Sequence, residues 1–400
     1  MSLNTTPSSE RIHIGIFGKR NAGKSSLINA LTNQNTAIVS DVKGTTTDPV
    51  YKAMELLPLG PVMMIDTPGI DDSGELGEMR VKKSLQVLNK TDIALLVVDG
   101  GKLDEEEKKL IERINVKKIP YVIAYNKCEL YNDINVSDDN QIAVSAEKNI
   151  NINELRELIA KQYSDEDDKK RLVGDLINPS DFVVLVVPID KAAPKGRLIL
   201  PQQQTIRDIL DADANAVVVK ENDLKNTLSE LGKKPVMVIT DSQVFAKVSA
   251  DVSKDILLTS FSILMARYKG NLMQAVKGVK VIDRLNDGDK ILISEGCTHH
   301  RQCNDIGTVK LPAWIKAYAG KSPVLEFTSG TEFPDDLSQY KLIVHCGGCM
   351  LNEREMKYRL RCAEEQGFAM TNYGILIAYM NGILKRSVEV FPEIAKLLEK

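Results

Sequence analysis

Along the first third of the chain, short runs of aliphatic and β-branched residues alternate with helix-length segments. Ile12–Gly18, Val62–Asp66, Ile93–Asp99, Tyr121–Tyr125 and Gln141–Val144 read as strands. Runs that are apolar at nearly every position predict strands buried on both faces, and the segments between them predict a parallel sheet covered by helices on both sides. The wholly polar run Ser164–Arg171 has nothing to bury and marks the first expected boundary. Beyond it, strand patterns at Phe182–Ile189, Ala216–Lys220 and Val236–Thr240 enclose helical patterns at Gln203–Leu210 and Asn222–Leu231, a second, small α/β unit. Its apolar stretch Leu257–Ala266 is expected to be core, with a subunit interface as the alternative. A third unit shows strands at Lys290–Ile293, Val324–Phe327, Lys341–Val344 and Gly374–Ala378, with helices at Leu311–Ala319 and Asn352–Glu365. The expected fold class is therefore α/β in three domains: 1–170, 171–265 and 266–400.

Composition narrows the partners. A chain of 400 residues is too long for one ordinary core. With 52 basic and 55 acidic residues the net charge is −3, which excludes a chain-wide field for nucleic acid. No stretch approaches the ~18 apolar residues of a spanning helix, and Met1–Arg11 lacks the apolar segment of a leader. The expectation is a cytoplasmic protein without membrane or nucleic-acid partners. Six cysteines are too few for a disulfide scaffold, and Cys297, Cys303, Cys346 and Cys349 fall in two short clusters, a grouping that points to metal or redox chemistry. Cys128 and Cys362 read as small packing residues and His13 as a structural histidine of the first strand.

Gly18–Ser25 fits GxxxxGKS, directly after a predicted strand and before the helical run Ser26–Leu31. Its glycines let backbone N–H groups of Asn21, Ala22, Gly23, Ser25 and Ser26 wrap phosphates at a helix start. Lys24 neutralises the β/γ oxygens and the Ser25 hydroxyl ligates magnesium. Further pieces follow in order. Gly44–Asp48 (GTTTD) supplies a switch threonine, Thr46, for magnesium and the γ-phosphate. In Asp66–Gly69 (DTPG), Asp66 holds magnesium through water and the Gly69 N–H senses the γ-phosphate. Asn126, Lys127 and Glu129 stand where NKxD reads guanine, with the carboxylate one methylene longer than usual, and Ser145-Ala146 completes the base pocket. The order of these elements favours guanine nucleotide over ATP.

On NAGKSSL, GTTTD and DTPG, the segment Ile12–Glu147 resembles the bacterial GTPases that include tRNA-modification and ribosome-assembly enzymes. The resemblance implies no catalytic glutamine after the DTPG glycine, where this chain has Ile70, so no catalytic side chain is assigned. It also implies that Asn21 ligates a K⁺ ion supplying transition-state charge; the plain reading of Asn21 is a turn residue.

Cys297-Thr-His299 follows one predicted strand and His345-Cys346-Gly-Gly-Cys349 ends another, so the two groups can converge at the carboxyl edge of a parallel sheet. Three thiolates spaced C…CxxC suit an iron–sulfur cluster with one iron lacking a cysteine ligand, and a Cys3His zinc site satisfies the same spacing. His300 and Cys303 read as solvated loop residues.

CxH followed by HCxxC, behind a P-loop G domain, is similar to the family of FeFe-hydrogenase maturation GTPases, and the likeness spans the chain. It implies a 4Fe-4S cluster on Cys297, Cys346 and Cys349, with His299 and His345 either binding the metal or supporting its ligands. It further implies a small α/β dimerisation domain in the middle, an α/β iron–sulfur cluster-binding domain at the end, and a homodimer. The expected role is a scaffold that receives a two-iron precursor from radical-SAM maturases and passes it to apo-FeFe-hydrogenase. The expected cofactors are GTP, Mg²⁺, K⁺ and the cluster. The rival reading is a ribosome- or tRNA-associated GTPase with a structural zinc module, which would call for a basic RNA-binding face.

Overall fold

The computed structural model describes residues 6–32, 48–71, 75–131, 134, 136–163, 170–188, 198–270, 272–296, 305–330 and 332–399. Contacts divide the chain into two compact units, residues 1–168 with 352–355 and residues 169–351 with 356–400.

The first unit is built on a six-stranded sheet with order β2-β3-β1-β4-β5-β6. Its strands are β1 (Ile12–Phe17), β2 (Val50–Leu56), β3 (Gly60–Asp66), β4 (Ile93–Asp99), β5 (Tyr121–Asn126) and β6 (Gln141–Ala143). All neighbours run parallel except β2, which pairs antiparallel with β3. Alternate side chains of each central strand enter different cores. Ile14, Ile16, Leu95 and Val97 meet α1 (Lys24–Thr32) and α4 (Ile152–Lys161) on one face. Phe17, Ala94, Leu96 and Val98 pack on the other face with Leu110 and Ile114 of α3 (Glu105–Val116). Helix α2 (Glu75–Val87) precedes β4. Asp104 caps α3, accepting from the Glu107 N–H, while the Glu107 carboxylate accepts from the Asp104 N–H, a reciprocal capping box.

The second unit carries two four-stranded, all-parallel sheets. One has order β10-β9-β7-β8, from β7 (Phe182–Val186), β8 (Asn215–Val219), β9 (Met237–Thr240) and β10 (Leu257–Ser260). It is accompanied by α5 (Leu200–Leu210), α6 (Leu224–Glu230), α7 (Phe245–Asp251) and α8 (Phe261–Tyr268). The other has order β12-β11-β13-β14, from β11 (Lys290–Glu295), β12 (Val324–Ser329), β13 (Leu342–His345) and β14 (Ala369–Asn372). Helices α9 (Leu272–Val279), α10 (Leu311–Ala319), α11 (Glu353–Glu365) and α12 (Tyr373–Met380) go with it. One continuous core joins residues of both sheets, from Leu172 to Ile394. Helix α8 runs through position 265, and the chain turns at Gly270 with φ +80°.

One segment expected to be a strand is a helix. Gly374–Ala378 is helical, inside α12, and the edge strand is β14 just before it. Every residue from Gly374 to Ala378 is buried, so the run carries no helical period to distinguish it from a buried strand. The helix start is set by Asn372, whose Oδ1 accepts from the Ile375 N–H at 2.8 Å. Leu257–Ala266 lies largely in the core, as expected, and Ser260 within it ends β10 and caps α8 by accepting from the Ile263 N–H at 3.3 Å. Ile263, Leu264, Met265 and Ala266 are buried in the core.

Candidate functional site

In the first unit the phosphate loop leaves β1 at Gly18, where φ is +147° and a Cβ would lie 2.2 Å from the Val97 carbonyl oxygen. Only glycine passes there. Lys24 Nζ donates to the carbonyls of Gly18 and Lys19 at 2.9 and 2.7 Å, so the ammonium is held within the loop that wraps the phosphates. Ser25 Oγ donates to Asp66 Oδ2 at 2.7 Å, which brings the two expected magnesium residues together. Burial raises the Asp66 carboxyl, opposed by the Ser25 bond and by Lys24 and Lys52. Asn21 adopts φ +61°, the left-handed conformation asparagine tolerates in turns, and is exposed. At Gly69 a Cβ would lie 2.6 Å from Arg20 Cγ, so the DTPG turn packs directly on the phosphate loop. Gly44, Thr45, Thr46 and Thr47 lie outside the described residues.

The base-reading elements are tied to the phosphate loop by one side chain. Buried Asn126 donates through Nδ2 to the Ala22 carbonyl at 2.9 Å, and its Oδ1 accepts from the Ala146 N–H at 3.1 Å. A Cβ on Gly23 would sit 2.2 Å from that Nδ2, so the second loop glycine makes room for the tether. Lys127 has φ +62° and its ammonium pairs with Asp99, which also accepts from Tyr131 Oη at 3.0 Å. Glu129 bonds the Ser145 hydroxyl, which holds its carboxyl below the usual range. Its carboxyl group lies near the surface, yet Oε2 is shielded from solvent and has no hydrogen-bond partner among the described residues. An acceptor in that state fits the N1 and N2 donors of guanine. Motif reading missed Asp99 and the tether made by Asn126, because neither interaction follows from spacing along the chain.

In the second unit, β11 and β13 are parallel neighbours with Ser294 opposite His345. Their carboxyl ends therefore lie side by side. The Cys346 N–H donates to the Ser294 carbonyl at 2.9 Å, and Cys346 Sγ accepts from the N–H groups of Gly296 and Gly348 at 3.0 and 3.4 Å. Burial pushes the Cys346 thiol up to about 11, against those two donors. Cys349 is raised as well, mainly by burial and against the pull of Lys269. Two N–H groups aimed at one sulfur stabilise it when it is charged, and a bound metal reverses the effect of burial by favouring thiolate, so these two thiols fit metal ligation. Cys297, His299, His300 and Cys303 lie outside the described residues, and among the described residues no group of three or more His, Cys, Asp or Glu side chains is placed to hold a metal.

His345 is wholly buried with both ring nitrogens engaged. Nε2 lies 2.9 Å from Arg359 Nη1, and Nδ1 lies 2.7 Å from the Cys346 carbonyl oxygen. Since arginine only donates, Nε2 accepts and Nδ1–H donates to the carbonyl. Burial, reinforced by Arg359, pushes this imidazole down to about 3. In this arrangement the ring orients the Cys346 peptide and its lone pair faces Arg359. Tyr373 Oη donates to Glu295 Oε1 at 3.2 Å near the same edge; burial, Glu295 and Cys346 all raise the phenol, which stays neutral.

Residues 13–127 match the family model described as 50S ribosome-binding GTPase, residues 172–270 the hydrogen maturase F dimerization domain, and residues 273–390 the hydrogen maturase F tetramerization domain. The tRNA modification GTPase MnmE of Geobacter sulfurreducens is 34% identical over 160 residues, covering 38% of this chain and 34% of that protein. Its counterpart in Mesoplasma florum is 39% identical over 125 residues, covering 31% of this chain and 27% of that protein. The chain thus spans about a third of the length of the curated relatives it matches. A GDP–aluminium fluoride complex of an Aquifex aeolicus Era variant is similar at a TM-score of 0.34 with 20% identity, covering 55% of this chain and 98% of that one. Behind a GTPase domain, the two maturase models follow one another from residue 172 to residue 390, and the chain belongs to the hydrogen maturase F family.

Proposed function

We propose that this protein is a GTP-binding scaffold and carrier in FeFe-hydrogenase maturation. Cys346 and Cys349, joined by Cys297, hold a 4Fe-4S cluster that, when bound, supplies an iron coordination position open to an exchangeable ligand. A two-iron precursor made by radical-SAM maturases is the cargo and apo-FeFe-hydrogenase the recipient. The chain acts as a cytoplasmic homodimer through residues 172–270. The observation that carries this reading is the Cys346 turn at the carboxyl ends of two adjacent parallel strands, with two backbone N–H groups aimed at the sulfur.

In the G domain, Ser25, Thr46 and water-bridged Asp66 hold Mg²⁺, Lys24 and the loop amides hold the phosphates, and Asn126, Lys127, Glu129, Ser145 and Ala146 hold the base. Ile70 follows Gly69 where a glutamine would orient water, so hydrolysis falls in the ~10⁻⁴–10⁻² s⁻¹ class of unassisted G domains. K⁺ at Asn21 accelerates it; equal turnover in K⁺ and Na⁺ at matched ionic strength removes that element.

Anaerobic reconstitution followed by iron, sulfide and zinc analysis and EPR, on the full chain and on Cys346→Ala, tests the scaffold. The expected result is a cluster signal in the first and its loss or alteration in the second. A stoichiometric zinc ion without iron or sulfide refutes the carrier and favours a GTPase with a structural zinc module.

A further inference from the structure

Two buried cations flank the Cys346–Cys349 turn. Arg359 of α11 is 0% exposed; it donates to His345 Nε2 at 2.9 Å, to Ser294 Oγ at 3.3 Å and to the Gly330 carbonyl at 2.7 Å. Its guanidinium also lies 5.2 Å from the Phe333 ring centroid. Lys269, just past α8, is 4% exposed and donates to the Leu351 carbonyl at 2.7 Å, two residues beyond Cys349. The cations stand at opposite ends of the turn: Arg359 bonds the ring of His345, the residue before Cys346, and Lys269 bonds the carbonyl of Leu351, two residues after Cys349. They reach the turn from separate parts of the fold, one from the helix that follows it and one from the segment matching the dimerization model.

Taking a cation out of water is costly, and an uncharged side chain of similar length would fill either place without that cost. A fixed positive charge inside a low-dielectric site acts strongly on any nearby change of charge. We infer that Arg359 and Lys269 are positioning residues whose fixed charges favour the more negative, reduced form of the iron–sulfur site and so set its potential; this rests on the cluster reading above. One-electron reduction adds one negative charge at the site and moves no proton. In the test below, dithionite supplies the electron.

The experiment is a mediated dithionite titration of the reconstituted full-length protein, read by EPR, for wild type and Lys269→Arg, Lys269→Gln and Lys269→Met. Glutamine keeps a donor for the Leu351 carbonyl while removing the charge, so it separates electrostatics from loop support. The glutamine and methionine variants are expected to shift the oxidised-to-reduced ratio at fixed potential at least tenfold toward oxidised, which is 59 mV for one electron. Lys269→Arg is expected to stay at the wild-type value. Arg359→Gln is expected to shift in the same direction; should that variant fail to assemble, the Lys269 series decides. No shift in Lys269→Gln, or a shift to higher potential, overturns the inference while the cluster reading stands. A wild-type protein that takes up no iron and sulfide removes the cluster reading, and the inference falls with it.

Discussion

Asn126 is the most informative single position in the nucleotide site, because one buried amide joins the phosphate loop to the base pocket. Asn126→Ala deletes the bond to the Ala22 carbonyl and the bond from the Ala146 N–H. Each net bond is worth about 1 kcal/mol, and a buried group left without its partner adds about 1–3 kcal/mol. Ala22 is fully buried and its carbonyl bears that penalty, whereas Ala146 is half-buried and its N–H regains water in part. With the Ala146 bond largely replaced by water, the Ala22 bond and the penalty on its carbonyl give a total of about 2–4 kcal/mol. If it falls on the assembled pocket, Kd for GDP rises roughly 30- to 700-fold. Asn126→Asp makes the argument sharper: it keeps shape and the acceptor for Ala146 but turns an oxygen toward the Ala22 carbonyl oxygen, so it is expected to bind GDP no better than Asn126→Ala. Calorimetric titration of GDP into the full-length variants, with thermal unfolding alongside, checks both. An aspartate variant within threefold of wild type would refute the tether as the organiser of the pocket.

Three further outcomes are expected. Glu129→Ala weakens GDP binding and abolishes the preference for GDP over inosine diphosphate, which lacks the exocyclic amine; calorimetry with the two nucleotides checks it. Gly374→Ala places a Cβ 1.8 Å from Ser262 Oγ in a packed core, costing about 1–3 kcal/mol in urea unfolding, and Ser262→Gly in the same chain restores part of the loss. Arg267 grips Asp175 with both terminal nitrogens, one bond at 2.8 Å, and holds its carboxyl below the usual range. Asp175→Asn therefore destabilises by about 1 kcal/mol, a figure discounted because the pair is partly exposed. A depressed carboxyl contributes fully above its ordinary value and loses that contribution as pH falls through the folded value. The stability difference is thus expected above about pH 4 and shrinks in more acidic solution, as denaturation at several pH values will show.

What could be read from the chain alone divides along a physical line. The phosphate loop was legible because its chemistry dictates residue type and spacing together: glycines at Gly18 and Gly23 because no Cβ fits, and Lys24 and Ser25 because they start the next helix. Central strands were legible because burial on both faces leaves continuous apolar runs, as in β1 and β4. Strand β2 was not, since it is an antiparallel edge whose mixed, half-exposed sequence announces no burial. Helix α12 was misread for the opposite reason, having no polar face at all. Charge inverts the problem at the thiol site. Arg359 stands in EREMKYRLRCAEE, a sequence that reads as a solvated face, and Lys269 stands in an ordinary basic helix end, yet both cations are buried against the CxxC turn. Polarity patterns assume that charged residues seek water, so the charges that leave it escape a reading of the sequence. Both cations lie buried beside the CxxC turn, where a charge is weakly screened, so neutralising them tests the electrostatics of the proposed cluster while leaving Cys346 and Cys349 in place.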